Sequence, residues 1–119
     1  MAGIDALGFV LGTAMAQRFK KCLVTIRKGG KLPVEADRVE FVDYMGKKSL
    51  ELRPDLIGAG MRVLVVDEWI ETGAQARAAI ELIERRGGVI AGVAAICIDD
   101  NENTRWLRDR YDCHAVWKE

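Results

Sequence analysis

Residues 61–75 read MRVLVVDEWIETGAQ, and this stretch decides the fold. Met61–Asp67 is a near-continuous valine and leucine run, as expected of a parallel strand buried on both faces. The polarity then changes abruptly to Asp67, Glu68 and, after Trp69 and Ile70, to Glu71-Thr72-Gly73-Ala74-Gln75. Thr72–Arg86 follows, with Ala76, Ala79, Ile80, Leu82 and Ile83 at helical spacing and a Gly87-Gly88 stop. Strand, acidic edge, small-residue loop and helix thus succeed one another within 26 residues, from 61 to 86.

In open parallel sheets, ligands sit at the carboxyl ends of strands. The small side chains Gly73 and Ala74 let backbone approach a ligand, and unpaired N–H groups at a helix start cradle phosphate, with the Thr72 hydroxyl as a further donor. Carboxylates at Asp67 and Glu68 accept hydrogen bonds from a sugar diol, so the segment suits a ribose 5-phosphate. Glu71 works against this unless it points away, because a carboxylate repels phosphate. On spacing alone, an equally good reading is that Asp67 and Glu68 end a strand and begin a turn.

Outward from this centre the same alternation continues. Gly8–Arg18 (GFVLGTAMAQR) is apolar on most faces and predicts a buried helix; Cys22–Ile26 predicts a strand. Gly29, Gly30 and Pro33 break the chain, and Val34–Lys48 is weakly patterned, which predicts a long functional loop. Ser49–Arg53 is a short candidate strand ended by Pro54. Downstream, Val89–Ile98 predicts a buried strand, Asn101 to about Arg110 a helix capped by Asp100 or Asn101, and Cys113–Lys118 an edge strand. Strands alternating with helices give an α/β fold, an open parallel sheet with helices on both faces.

Composition narrows the function. The 119 residues suffice for one domain, and 18 basic side chains balance 18 acidic ones. Zero net charge argues against bulk binding to nucleic acid or a membrane surface. The longest apolar stretch, Val89–Ile98, is half of what a spanning helix needs. The start, MAGIDALGFVLG, lacks a basic region and carries Asp5, unlike a signal peptide. Cys22, Cys97 and Cys113 are odd in number and far apart, and one histidine is too few for the common zinc sites. Cysteine usage fits a reducing, cytoplasmic setting. His114 reads as a partly buried histidine, Cys22 and Cys97 as core thiols, Trp106 and Trp117 as core or interface residues. Trp69 lies where a base or ribose could stack, although packing beneath the loop is the simpler reading.

VLVVDEWIETGAQ resembles the phosphoribosyl-pyrophosphate motif of type I phosphoribosyltransferases. IDALGFVLG is similar to the pyrophosphate loop of the adenine enzymes, IRKGGKLP to their Arg-Lys-x-Gly-Lys-Leu-Pro segment, and SLELRPDLIGAGMRVLVVDE follows the order leading into the motif. These matches occur in family order over residues 3–98. The resemblance implies a Rossmann-like phosphoribosyltransferase fold, N-terminally short and lacking the hood. It implies catalytic Asp67 and Glu68 on the ribose hydroxyls, and Glu71, Thr72, Gly73, Ala74 and Gln75 around the 5-phosphate. Asp5, Ala6, Leu7, Arg27 and Lys31 would meet the pyrophosphate, and residues 34–48 would form the mobile loop. The six basic residues and no acid in Arg18–Lys31 agree with a phosphate-facing stretch. Mg²⁺ would be held mainly through the substrate, and the partners would be phosphoribosyl pyrophosphate or a nucleoside monophosphate, with a homodimer as the assembly. The activity implied is phosphoribosyl transfer to a nitrogenous, purine base, as in purine salvage.

The sequence also departs from that pattern. The family's Glu-x-Arg is Asp5-Ala6-Leu7, the loop carboxylate position is Tyr44, and Gln75 stands for the usual threonine. The late start leaves little room for the strand that precedes the pyrophosphate loop, so the sheet is expected to lack a member. These changes keep open a non-catalytic module that binds phosphoribosyl pyrophosphate or a nucleotide. VLVVDE further resembles the acidic strand end of receiver domains, but there the acidic pair lies near the chain start.

Overall fold

The computed structural model describes residues 1–30 and 36–117. In chain order the elements are β1 (Ala2–Ile4), α1 (Leu7–Phe19), β2 (Val24–Lys28), β3 (Asp37–Asp43), β4 (Gly46–Leu52), β5 (Arg62–Ile70), α2 (Ala74–Arg85), β6 (Val89–Ile98), α3 (Glu102–Arg110) and β7 (Cys113–Ala115), with a 3-10 turn at Pro54–Leu56. The strands among the described residues form one sheet in the order β3-β4-β2-β1-β5-β6-β7. The five strands from β2 to β7 pair in parallel, and the β3–β4 hairpin adds antiparallel at the β2 edge.

The two longest apolar runs take the middle of the sheet, where both faces are covered. Val65 and Val93 are fully buried, in one cluster with Ile80, Leu82 and Ile83 of α2 and Leu107 of α3. Each such side chain contributes about 1.5–3 kcal/mol through removal from water. Val66, its side chain on the opposite face, joins Leu11, Ala14 and Met15 of α1 around a separate cavity. The sheet is therefore covered by α1 on one face and by α2 and α3 on the other.

The expected missing strand is present. Ala2–Ile4 forms β1 at the centre of the sheet, between β2 and β5. Three residues carry no periodic signal, but full burial of Ala2 and Ile4 compensates for the short length. The helix after it is packed by its small residues. A Cβ on Gly3 would lie 2.4 Å from the Gly8 carbonyl oxygen, and one on Gly8 would lie 2.6 Å from that of Val66. Only Gly8, Gly12 and Ala16 of α1 are buried, so the helix is not enclosed as its composition suggested.

Residues 34–48 were expected to be a loop. Instead, the described part from Asp37 pairs with β4 in unbroken register, from Asp37 opposite Leu52 to Asp43 opposite Gly46. Tyr44 and Met45 make the tight connection, followed by Gly46 at φ +111°, a left-handed conformation that favours glycine. Of the segment expected to be mobile, residues 34 and 35 lie outside the described residues, as does Lys31.

Candidate active site

β1 and β5 are neighbours, yet β1 continues through α1 to β2 on one side and β5 through α2 to β6 on the other. The crevice beyond their carboxyl ends is the switch point at which ligands of such sheets bind. β1 stops at Ile4, whereas β5 runs on to Ile70, three residues past the expected end at Asp67. Asp67 and Glu68 thus lie within a strand that overhangs its shorter neighbour.

Their environments differ. Asp67 is buried and Glu68 exposed. Asp67 Oδ1 accepts the Glu68 N–H at 2.8 Å, and Oδ2 accepts the Gln75 side-chain amide at 3.3 Å. Burial pushes the Asp67 carboxyl up to about 6, against the opposing pull of these two donors.

The loop 71–75 follows. Gly73 has φ +81°, and a Cβ there would come within 3.2 Å of Asn103 Cβ. The Thr72 hydroxyl accepts the Ala74 N–H at 3.2 Å, shaping the turn into α2 and keeping its own hydrogen to donate. No acidic residue occupies the first turn of α2 itself, while Glu71 just before it lines the adjoining cavity with Thr72, Gly73 and Gln75. Asn101 was expected only to cap α3. It does so, accepting from the Asn103 and Thr104 backbone N–H groups, and its Nδ2 also donates to the Glu71 carbonyl at 2.6 Å. The start of α3 therefore clamps the loop, a role that sequence spacing could not reveal because the two segments are 30 residues apart.

At the end of β1, Asp5 is buried and accepts the Lys28 N–H at 3.3 Å, fastening β1 to β2, while Ala6 and Leu7 are exposed. Arg27 is half-buried at the end of β2, and its Nε is buried without a hydrogen-bond partner among the described residues. The structure brings Asp5, Ala6, Leu7, Arg27, Asp67, Glu68 and Glu71–Gln75 to the carboxyl-end edge of the sheet.

The hairpin tip closes another side. Asp43, Tyr44 and Lys48 line a cavity of about 150 Å³ with Trp69, Glu71, Thr72, Gly73 and Gln75. Trp69 does not pack beneath the loop: it is 53% exposed, and its indole N–H donates to Asp99 at 2.9 Å. Two other residues also differ from expectation: Cys22 is exposed, since the strand begins at Val24 rather than at Cys22, and the His114 side chain is 74% exposed beside Asp112. Trp106 packs partly against the core between the guanidinium groups of Arg77 and Arg110, and Trp117 is exposed, which excludes only the core half of its core-or-interface reading.

The phosphoribosyl transferase domain family matches this chain over residues 1–118. The chain belongs to that family. Among curated relatives, the adenine phosphoribosyltransferase of Nitrosopumilus maritimus is 38% identical over 117 residues, which cover 98% of this chain and 69% of the relative. The corresponding protein of Rubrobacter xylanophilus is 50% identical over 90 residues, 76% of this chain and 49% of that one. The crystal structure of adenine phosphoribosyltransferase from Rhodothermus marinus superposes with a TM-score of 0.89 at 34% identity, covering 97% of this chain and 66% of the other. The chain thus spans between about half and two thirds of the length of these phosphoribosyltransferases. The mostly parallel sheet with helices, and the likeness to the adenine enzymes, are as the sequence led us to expect.

Proposed function

We propose that this chain carries the phosphoribosyl-pyrophosphate site of a phosphoribosyltransferase that transfers the phosphoribosyl group to a purine base, adenine by likeness to its relatives, in nucleotide salvage. The observation that carries the proposal is the meeting, at one sheet edge, of Asp67 and Glu68 at the end of β5 with the N-terminus of α2 at Gly73–Gln75, whose first turn carries no acid. Backbone N–H groups of the first helical turn and the Thr72 hydroxyl hold the 5-phosphate. Asp67 and Glu68 accept from the ribose hydroxyls. Arg27, half-buried at the end of β2, would offer its guanidinium to the negative charge that grows on the leaving pyrophosphate.

The reaction needs no protein nucleophile. A ring nitrogen of the base forms a bond to the anomeric carbon as the bond to pyrophosphate breaks and its electron pair leaves with that group. The chain supplies position and electrostatics for this displacement. Among the described residues no group of three His, Cys, Asp or Glu side chains could hold a metal. That donor set fits Mg²⁺ carried in on the oxygens of the substrate, where it offsets phosphate charge.

Two further elements of the reading concern assembly and setting. Leu7 and Val10 on α1 are 51% and 65% exposed, which supports a homodimer through this face. No helix among the described residues is long and apolar enough to cross a membrane. We assign the protein to the cytoplasm, as cysteine usage suggests.

The test is calorimetric titration with phosphoribosyl pyrophosphate and Mg²⁺, followed by pyrophosphate release across a panel of bases. Binding with release on adenine is the expected result. Gly73→Val, which places a branched side chain at positive φ against Asn103, should abolish binding while the circular dichroism spectrum is kept. Wild-type affinity in that variant would remove the phosphate from this loop. Binding without release on any base would favour the non-catalytic module, for which the replacement of the family arginine by Leu7 is the supporting observation.

A further inference from the structure

We infer that Gln75 is a positioning residue for Asp67, its side chain orienting the carboxylate within the sugar site rather than binding phosphate. The inference rests on the reading of Asp67 as the ribose-facing carboxylate. Gln75 stands in the first turn of α2, and its Nε2 reaches back across the loop to Asp67 Oδ2 at 3.3 Å. The other carboxylate oxygen is fixed at 2.8 Å by the backbone N–H of Glu68. With one donor on each oxygen, the carboxylate plane is locked, and each oxygen keeps a free lone pair for a diol. The backbone N–H of Gln75 is still at the helix N-terminus, so the residue serves both halves of the site: main chain toward phosphate, side chain toward Asp67.

The contact matters because Asp67 is 7% exposed. A buried carboxylate stays ionised only as far as donors and cations around it allow. On its own strand Glu68 opposes ionisation, and Lys28 at the end of β2 favours it. Asp5 follows β1, α1 carries no charge before Arg18, and β6 carries none at all. His114 of β7 lines the same cavity of about 350 Å³ as Asp67. Gln75 is thus the side chain from α2 that both orients the carboxylate and favours its charged form.

The experiment is a carboxyl-¹³C NMR titration of the ligand-free protein labelled at aspartate, with the Asp67 signal identified by its loss in Asp67→Asn. In Gln75→Leu, of similar size but without a donor, the Asp67 midpoint should rise by at least about half a pH unit, a threefold change in its ionisation equilibrium. Gln75→Thr, whose hydroxyl is too short to span the gap, should move it the same way. An unchanged or lowered midpoint in both folded variants overturns the inference. The transferase assay gives a second reading. Gln75→Leu should lose about twofold or more kcat/KM at pH 6 beyond any loss at pH 8.5. An equal loss at both pH values, borne by KM for phosphoribosyl pyrophosphate, would make Gln75 a phosphate ligand and overturn the inference as well. If the wild type transfers nothing to any base, the proposed function fails, while the titration still decides the role of Gln75.

Discussion

Asp67 is a residue whose placement works against the stability of the protein. Its carboxyl is pushed from 3.8 up to about 6 by burial. A group whose folded pKa lies above its unfolded one adds stability that is fully present below the unfolded value and is lost as pH rises through the folded one. Here that window runs from 3.8 to about 6, so at neutral pH the ionised Asp67 is a burden. At 1.36 kcal/mol per pH unit the burden is about 3 kcal/mol before relaxation. Asp67→Asn keeps the acceptor for the Glu68 N–H, and the Gln75 amide can turn to suit it. The variant should therefore unfold at higher urea than wild type at pH 7.5, by about 1–3 kcal/mol, with the advantage fading towards pH 4. It should also bind phosphoribosyl pyrophosphate more weakly, because the diol loses a charged acceptor. Equal stability of the two proteins at pH 7.5 would contradict the burial argument. Equal affinity would contradict the diol role.

Among the elements, the β3–β4 hairpin is tied to the rest of the molecule by ion pairing at its base and is exposed at its tip. At the base, Asp37 pairs with the Arg86 guanidinium through Nε and, at 2.8 Å, through Nη2, and Arg85 donates to the Arg38 carbonyl at 3.2 Å. Arg86 holds the Asp37 carboxyl below the usual carboxylate range. At the tip, Val42, Tyr44 and Met45 are each about 70% exposed. Asp37→Asn removes one charge from a solvent-screened pair, at a cost of about 1 kcal/mol or less. If local opening of the hairpin is governed at its base, amide exchange across Val39–Leu50 should quicken by up to about fivefold, with β5 and β6 unaffected. Exchange unchanged in β3 and β4 would mean that the pair does not restrain the hairpin. The hairpin was also the element least legible in the sequence. In Asp37–Asp43, adjacent Phe41 and Val42 break the alternation, and Gly46 sits after the tight connection rather than inside it, so neither strand nor turn declared itself. β5, α2 and β6 were legible because long runs with a single period outweigh local noise. β1 was hidden because a three-residue strand has no period and is recognised only through its neighbours. The same holds in the site. Asp67 and the loop Glu71–Gln75 could be read from order along the chain. The Asn101 clamp, the Trp69–Asp99 bond and the Gln75–Asp67 contact depend on packing between segments.

At the scale of the whole molecule, the two faces of the sheet are treated unequally. α2 and α3 close one face over a continuous core, whereas the other face among the described residues is covered by α1, which lies over β1 and β5. Beyond α1, Ile96 and Val116 border the apolar cavity shared with Leu11, Ala14 and Met15. α1 itself turns Leu7, Val10 and Ala14 outward, at the i, i+3, i+7 spacing of one helical stripe. The homodimer proposed above would cover this stripe. A second copy of the chain, related by a two-fold axis, would set stripe against stripe and remove both from water. Each of Leu7 and Val10 would then contribute about 1.5–3 kcal/mol if fully buried. Placing a carboxylate in that stripe would leave it desolvated and unpaired in the assembled state. Val10→Glu lies on the outer side of α1, away from Gly8, Gly12 and Ala16, so folding should survive. In sedimentation equilibrium the wild type should be a dimer, and Val10→Glu should dissociate at least about tenfold more readily, equivalent to about 1.4 kcal/mol. A monomeric wild type would sink the homodimer. A variant that dimerises as tightly as wild type would move the interface away from this face of α1.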